Sequence, residues 1–274
     1  MYLQFPNLPD KLTPAEHKLL DFIEENRAEF LFMTIGQLAA RMDVSEATIS
    51  RFARHLGCQD FKQLKNLVLT QNHPDGPAGK LARTLLVGGA FQAADYLRQQ
   101  QLCLEKTLEH LDQRSFTTAA QAICSAKRVF IHAKSASASV GQLLFFRLRR
   151  SRLDVSLIPS GGSEMLEGLA QAGTGDLVIP FGFSKVSREG RVILNEQPSA
   201  GYRTLCFTSR LHAPEEDRAD IELYVYRGDL REYHSMTAAV ALVDALVVAV
   251  SEQMGADSAQ SLQKIHRLKK AYSI

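Results

Sequence analysis

The sequence predicts two domains of different class: an all-helical amino-terminal domain, then a five-stranded, mostly parallel α/β domain. Three observations carry this. At 274 residues the chain has the length of two compact domains, which cluster near ~100 to 150 residues each. Helix-capping signals recur between residues 13 and 70 with no strand-like alternation. From Arg128 onward, short β-rich runs alternate with helical stretches, the pattern of a parallel sheet covered on both faces.

Composition bounds the rest. With 45% hydrophobic and 23% charged residues the chain can fill ordinary cores, which excludes a disordered or collagen-like protein. The longest strongly apolar stretch, residues 237–250, is shorter than a bilayer span of about 20 residues and contains Asp244, and no basic-then-apolar leader opens the chain. A cytoplasmic protein with no membrane partner is expected. Cys58, Cys103, Cys124 and Cys206 lie far apart with no C-x-x-C pair, so buried thiols are expected, with no disulfide scaffold, metal or cofactor. The net charge of +2 decides nothing about nucleic acid, but its distribution is informative. Residues 1–77 hold eight basic and ten acidic side chains, and most of the acids precede Arg41, Arg51, Arg54, Lys62 and Lys65. That leaves a local basic face on a nearly neutral domain.

The helices follow from their punctuation. Thr13-Pro14-Ala15-Glu16 supplies a threonine N-cap, a proline at the first position and a glutamate to close a capping box, so a helix is expected over 14–29, with Leu19, Leu20 and Ile23 inward. Thr34 and Gln37 repeat the signal for a short second helix. Asp43 sits where the chain must turn sharply, and Asp tolerates positive φ better than most residues. Ser45 caps a third helix that stops at Gly57, and Asp60 caps a fourth with Phe61, Leu64, Leu67 and Val68 inward. At 100° per residue, Ile49, Phe52, Ala53 and Leu56 share one side of the third helix, while Ala47, Ser50, Arg51 and Arg54 share the other. A short helix, a tight turn and a helix backed by small polar and arginine side chains suit a DNA major groove, where arginine reaches guanine O6 and N7. The alternative is a helical protein-interaction module with a solvated basic face. The expected DNA contacts are Ser45, Glu46, Thr48, Ser50, Arg51 and Arg54, with Thr34, Lys62 and Lys65 directed to phosphates.

The order I-G-Q-L-A-A-R-M-D-V-S-E-A-T-I-S-R-F-A-R-H-L over residues 35–56, then Gly57 and Phe61-Lys62, resembles the helix-turn-helix of the RpiR family of bacterial sugar-responsive regulators. The resemblance covers residues 1 to about 75. It implies a winged-helix-like or four-to-five-helix DNA-binding head with residues 45–56 as recognition helix.

Residues 71–80, Q-N-H-P-D-G-P-A-G-K, read as a hinge. Domain boundaries are accordingly expected at 1–77 for the head, 78–112 for a linker and connecting helix, and 113–274 for the second domain. Helices are expected over 91–111 and 116–126. Strands follow at 129–132, 155–158, 177–181, 204–207 and 221–226, separated by helices near 138–150, 163–171 and 187–199, with a short one near 214–218. An apolar helix over 235–253 and a basic amphipathic tail follow.

Ligands of such folds bind beyond the carboxyl ends of the strands. Two serine-rich loops occur there, one with Ser135 and Ser137, the other with Ser184, Lys185 and Ser187. Hydroxyls and free N–H groups at a helix start accommodate an anion, whereas any single serine there can be a simple N-cap. Ser160 and Ser235 are further candidates for this pocket. The second domain also resembles the SIS, or sugar isomerase, domain of RpiR-type regulators, best at Asp176-Leu177-Val178-Ile179 leading to Ser184, Ser187, Arg188 and Glu189, and again at V-D-A-L over 243–246. The resemblance implies that loop hydroxyls hold a phosphosugar. Here Ala133 and Ser135 replace glycines of the first motif, with Ser137 retained, and the second motif lacks one serine and its glycine, with Lys185 present.

The reading is a transcriptional regulator of carbohydrate or related metabolism, binding operator DNA and a small anionic effector, a sugar phosphate or sugar acid. Palindromic operators require two heads, so a homodimer or dimer of dimers is expected. The alternatives are a phosphosugar isomerase-like enzyme, with Glu164, Glu167, Glu189, Glu232, His132 and His234 as candidate bases, or a regulator whose SIS domain only dimerises. No catalytic residue is assigned. The basic stretch 127–152 offers a second, weaker nucleic-acid hypothesis.

Overall fold

The computed structural model describes residues 3–9, 11–72, 76–86 and 91–273. It divides into two compact units, Met1–Ala94 with Asp229–His234, and Asp95–Gly228 with Ser235–Ile274.

The first unit contains six helices among the described residues and no strand: α1 (Pro14–Glu25), α2 (Arg27–Phe32), α3 (Ile35–Met42), α4 (Glu46–His55), α5 (Phe61–Asn72) and α6 (Gly76–Leu86). Its winged alternative therefore has no support there. The capping boxes of Thr13 with Glu16 and of Thr34 with Gln37 both form. The expected first helix is two helices, because the chain breaks at Asn26, whose side-chain amide donates to the Phe22 carbonyl at 3.1 Å; asparagine competes for backbone partners in this way. Leu19, Ile23, Phe30, Leu38, Ile49, Phe52, Leu56, Leu64 and Val68 form one core. The expected hinge is mostly helix: α5 runs to Asn72 and α6 begins at Gly76, and Ala82 and Leu86 of α6 join the same core. Only residues 73–75 of that stretch lie outside the described residues. The reason is the period of Ala82 and Leu86, which overrides the Pro-Gly signal upstream of them.

The second unit opens with α7 (Ala93–Glu109) and α8 (Gln113–Ser125). Then come β1 (Val129–His132), α9 (Ser137–Arg150), β2 (Val155–Ile158), α10 (Gly162–Leu169), β3 (Leu177–Pro180), α11 (Arg188–Ala200), β4 (Arg203–Thr208), a 3-10 turn (Glu215–Asp217) and β5 (Ile221–Tyr224). The long helices α12 (Thr237–Met254) and α13 (Ala256–Tyr272) close it. The strand order is β2-β1-β3-β4-β5, and all four pairings are parallel.

Alternate strand residues face opposite layers, as the two-residue period requires. Val129, Ile131, Leu177, Ile179, Leu205 and Phe207 pack with α8, α9 and α12 on one face. Phe130, Val178 and Tyr202 pack with Met165 and Leu169 of α10 and Ile193 of α11 on the other. Helix α12 is long and apolar enough by length and composition to cross a membrane, but Ala239, Val243, Leu246 and Val250 lie in the domain core, so it is a core helix. Since β2 lies on one side of β1 and β3 on the other, the order reverses between β1 and β3. Such a switch point leaves a crevice at the carboxyl ends of the strands.

Candidate functional site

The first candidate surface is the outer face of α4. Asp43 closes α3 in the left-handed region, at φ 54° and ψ 49°, which lets the chain reverse within two residues. Ser45 then caps α4, its hydroxyl accepting from the Thr48 backbone N–H at 3.1 Å and lying 2.9 Å from the Thr48 hydroxyl. Ile49, Phe52 and Ala53 are buried, so Glu46, Arg51 and Arg54 are exposed, with Thr48 and Ser50 half-buried beside them. Arg51 reaches the Thr48 hydroxyl at 3.4 Å and Arg54 the Ser50 carbonyl at 3.2 Å; each guanidinium keeps further donors for a ligand. Glu46 leans on the start of α3, where a Cβ on Gly36 would lie 2.8 Å from its Oε1.

Thr34 is exposed, with its hydroxyl accepting from Gln37, and Lys62 is half-buried. Lys65 differs from expectation. It is 9% exposed, its ammonium donates to the Met33 carbonyl at 3.0 Å, and burial pushes its pKa down. Position 65 falls one turn after Phe61 and beside Leu64, so its stem lies on the buried side of α5. Sequence inspection also missed the link between α4 and α1: His55 Nδ1 lies 2.8 Å from Glu16 Oε1. Although burial works against it, hydrogen bonds from Thr13 and His55 hold the Glu16 carboxyl below its usual value.

The second candidate site lies at the switch point. The β1 loop carries Ser135, in the left-handed region at φ 54°, and Ser137, whose hydroxyl is buried and donates to the Lys134 carbonyl at 2.7 Å. The β3 loop exposes Ser184 and Lys185, while the Ser187 hydroxyl caps α11 by accepting from Gly190 at 3.0 Å. Ser160, after β2, is exposed. Ser235, two residues before α12, accepts from the Thr237 backbone N–H at 3.1 Å. Ser137, Ser187 and Ser235 thus use their hydroxyls in local caps, and Ser135, Ser160, Ser184 and Lys185 are the candidates that face solvent.

Two further groups converge here. Lys134 bridges the β1 and β3 loops through a 2.7 Å ion pair with Glu189 in the first turn of α11. The Lys134 ammonium, then a backbone N–H, hold the Glu189 carboxyl down to about 2. The same carboxylate would lie 3.5 Å from a Cβ on Gly161 in the β2 loop, so three strand ends meet at Glu189. His132, the last residue of β1, is 2% exposed, with its ring against the Pro159 backbone of the β2 loop. Burial pushes its pKa down, against the opposing pull of Glu189. A local anion-site pattern could have flagged Lys134, since it stands within the serine-rich loop; its pairing with a residue 55 positions away has no local signal.

The basic stretch 127–152 is largely engaged within its own domain. Arg128 chelates Asp176 at 2.6 and 3.2 Å, Arg147 pairs with Asp244 at 3.5 Å, and Arg149 and Arg150 lie over Phe145 and Phe146. Glu164 and Glu167 sit exposed on α10.

Comparison with known proteins agrees with this geometry. Residues 2–73 match the family model described as the helix-turn-helix domain, rpiR family. An uncharacterised HTH-type transcriptional regulator of Caldanaerobacter subterraneus subsp. tengcongensis is 23% identical over 266 residues, covering 93% of this chain and 92% of that protein. Among solved structures, the Vibrio vulnificus NanR protein complexed with ManNAc-6P superposes with a TM-score of 0.59 at 21% identity, covering 96% of this chain and 95% of that one. The sugar isomerase domain of an RpiR transcription factor from Sphaerobacter thermophilus gives a TM-score of 0.59 at 21% identity, covering 64% of this chain and 97% of that one. Both likenesses are of fold.

Proposed function

We propose that this chain, whose amino-terminal domain is an rpiR-family helix-turn-helix domain joined to an α/β domain with the SIS fold, is a cytoplasmic regulator of carbohydrate or related metabolism. It reads operator DNA through α4 and responds to a small anion, a sugar phosphate or sugar acid, bound at the β1/β3 switch point. The observation that carries this reading is the outer face of α4. Two exposed arginines stand one turn apart, with no carboxylate paired to either among the described residues, behind a capped, left-handed turn. The effector reading is supported by the exposed Ser184 and Lys185 of the β3 loop at the switch point, and by the ManNAc-6P complex of the structurally similar NanR protein.

Binding without turnover is favoured over isomerase chemistry. A base beside a carbonyl must be free to take a proton, yet Glu189 is committed to Lys134 and held near a pKa of about 2, and Glu164 and Glu167 face solvent. Two heads on a palindromic operator imply a homodimer or a dimer of dimers. Helix α7 supports pairing, because Leu97 and Leu108 remain 64% and 70% exposed.

Footprinting of the wild type against Arg51→Ala and Arg54→Ala tests the DNA assignment. Each substitution is expected to remove about 1 to 3 kcal/mol of base discrimination, and an operator affinity unchanged in both would overturn it. Calorimetry with phosphosugars and sugar acids, repeated on Ser184→Ala and Lys185→Ala, tests the effector site. Binding that neither substitution weakens would move the site elsewhere.

A further inference from the structure

We propose that Arg227 forms an oxyanion subsite on the β5 side of the β3 loop, where its guanidinium takes a carboxylate or phosphate group of the effector. This rests on the reading that the α/β domain binds a small anion. It adds a residue outside the serine-rich loops.

Arg227 lies three positions beyond β5, at the carboxyl edge of the sheet, and is only 8% exposed. Its surroundings are neutral. The guanidinium carbon lies 3.9 Å from the centroid of the Phe183 ring. The Nε atom is 3.5 Å from the Ser209 hydroxyl and Nη1 is 3.8 Å from the Met236 sulfur, both at the long limit of hydrogen bonding. No carboxylate pairs with it among the described residues, and burial alone pushes its pKa down to about 10.

Other arginines of this domain show what a compensated site looks like. Arg210, also largely buried, is held by the Asp217 carboxylate at 3.0 Å and the Asp217 carbonyl at 3.1 Å. Arg128 is held by both oxygens of Asp176. A charge withdrawn from water without a counter-charge is costly, and stacking on one phenylalanine recovers only part of that. An arginine kept in such a place has a partner that the chain does not provide.

The geometry names the chemistry of that partner. Stacking occupies a face of the planar guanidinium and leaves its in-plane N–H edges, which match the two oxygens of a carboxylate or phosphate. Position ties the subsite to the candidate pocket. Phe183 immediately precedes Ser184, and the Ser209 backbone N–H donates to the Phe183 carbonyl at 2.9 Å, which ties the β3 loop to the end of β4 beside Arg227. On the β1 side of the same loop, Lys134 is already neutralised by Glu189.

Calorimetry on the full chain with inorganic phosphate and with gluconate, a simple sugar acid, tests the subsite on wild type, Arg227→Met, Arg227→Lys and Ser184→Ala. The expected result is that Arg227→Met, which keeps apolar packing on Phe183, melts no lower than wild type in anion-free buffer and binds phosphate, gluconate or both at least tenfold more weakly. Which anion is affected identifies the group that Arg227 takes. If Arg227→Met fails to fold, Arg227→Lys serves instead; it keeps the charge but loses the fork, and several-fold weaker binding is expected. Wild-type affinity for both anions in the variant that folds overturns the subsite, while a loss confined to Ser184→Ala leaves the effector reading standing. If wild type binds neither anion, the effector reading and the subsite fall together.

Discussion

Lys62 and Lys65 stand three residues apart on α5 and look equivalent in the sequence, yet only Lys62 can offer its charge to a phosphate backbone. Each phosphate contact contributes about one unit to the salt slope of DNA binding. Lys62→Ala is therefore expected to flatten the slope by about one unit, whereas Lys65→Met leaves it unchanged and alters only the stability of the head. Titrating operator affinity against salt separates the two, and equal slopes for both variants would refute the distinction. His132 makes a prediction of a different kind. Its pKa in the folded chain is depressed, so the unfolded chain binds the extra proton first as pH falls. Its contribution is complete above about 6.5 and is lost below that, by up to about 1.4 kcal/mol per pH unit, until the folded chain also protonates. Of its charged neighbours, Glu189 remains ionised throughout this window and Lys134 remains its partner. Urea unfolding from pH 7.5 to 5 should show wild type losing stability faster than His132→Phe; parallel curves would refute this.

At the scale of elements, α11 brings a helix start, a capping serine and a carboxylate to one point. Glu189 favours the helix by lying in its first turn, but it also places a negative charge where the proposed anionic ligand would approach. Glu189→Gln keeps the shape and removes that charge. Because the Lys134 pair is partly exposed, the gain is limited by solvent screening, and phosphate or sugar-phosphate affinity is expected to rise roughly three- to tenfold. Glu189 stays ionised from pH 5 to 8, so the gain should follow the charge of the ligand, growing as the phosphate takes its second negative charge near pH ~6. Isothermal titration at several pH values checks this. A fall in affinity would instead make Glu189 a direct acceptor for the ligand's hydroxyl groups.

At the scale of the whole molecule, the proposed regulation requires that effector binding alter the spacing or mobility of two heads in the proposed dimer, and the effect is bounded by the effector's difference in affinity for the two states. Pairing is expected to cover the exposed leucines of α7. Leu97→Glu with Leu108→Glu should yield a folded monomer with weakened operator binding in sedimentation at micromolar concentration. A variant that stays dimeric would shift the interface to other exposed apolar positions such as Phe146 and Val248. A wild type that stays monomeric with operator DNA present would refute the paired-head reading itself.

Local chemistry made much of this protein legible in its sequence. Thr13, Thr34 and Ser45 announce helix starts because a hydroxyl must answer the orphan N–H groups there, and Asp43 announces the turn because few residues accept positive φ. The strands were recognisable because β-branched runs alternate with helices, and strand ends locate ligand loops in any parallel α/β sheet. Tertiary structure decided what depends on distant partners. Asn26 breaks a helix that periodicity would continue, and α6 is helical through a stretch rich in Pro and Gly because Ala82 and Leu86 belong to the head's core. Whether a cation is free or spent is likewise a three-dimensional fact: Lys65 is spent on the Met33 carbonyl and Lys134 on Glu189, while Arg227 lies buried on Phe183 with no acid paired to it among the described residues. Hydrogen-bond and charge compensation are set by which residues meet across the fold, and sequence spacing carries no record of those meetings.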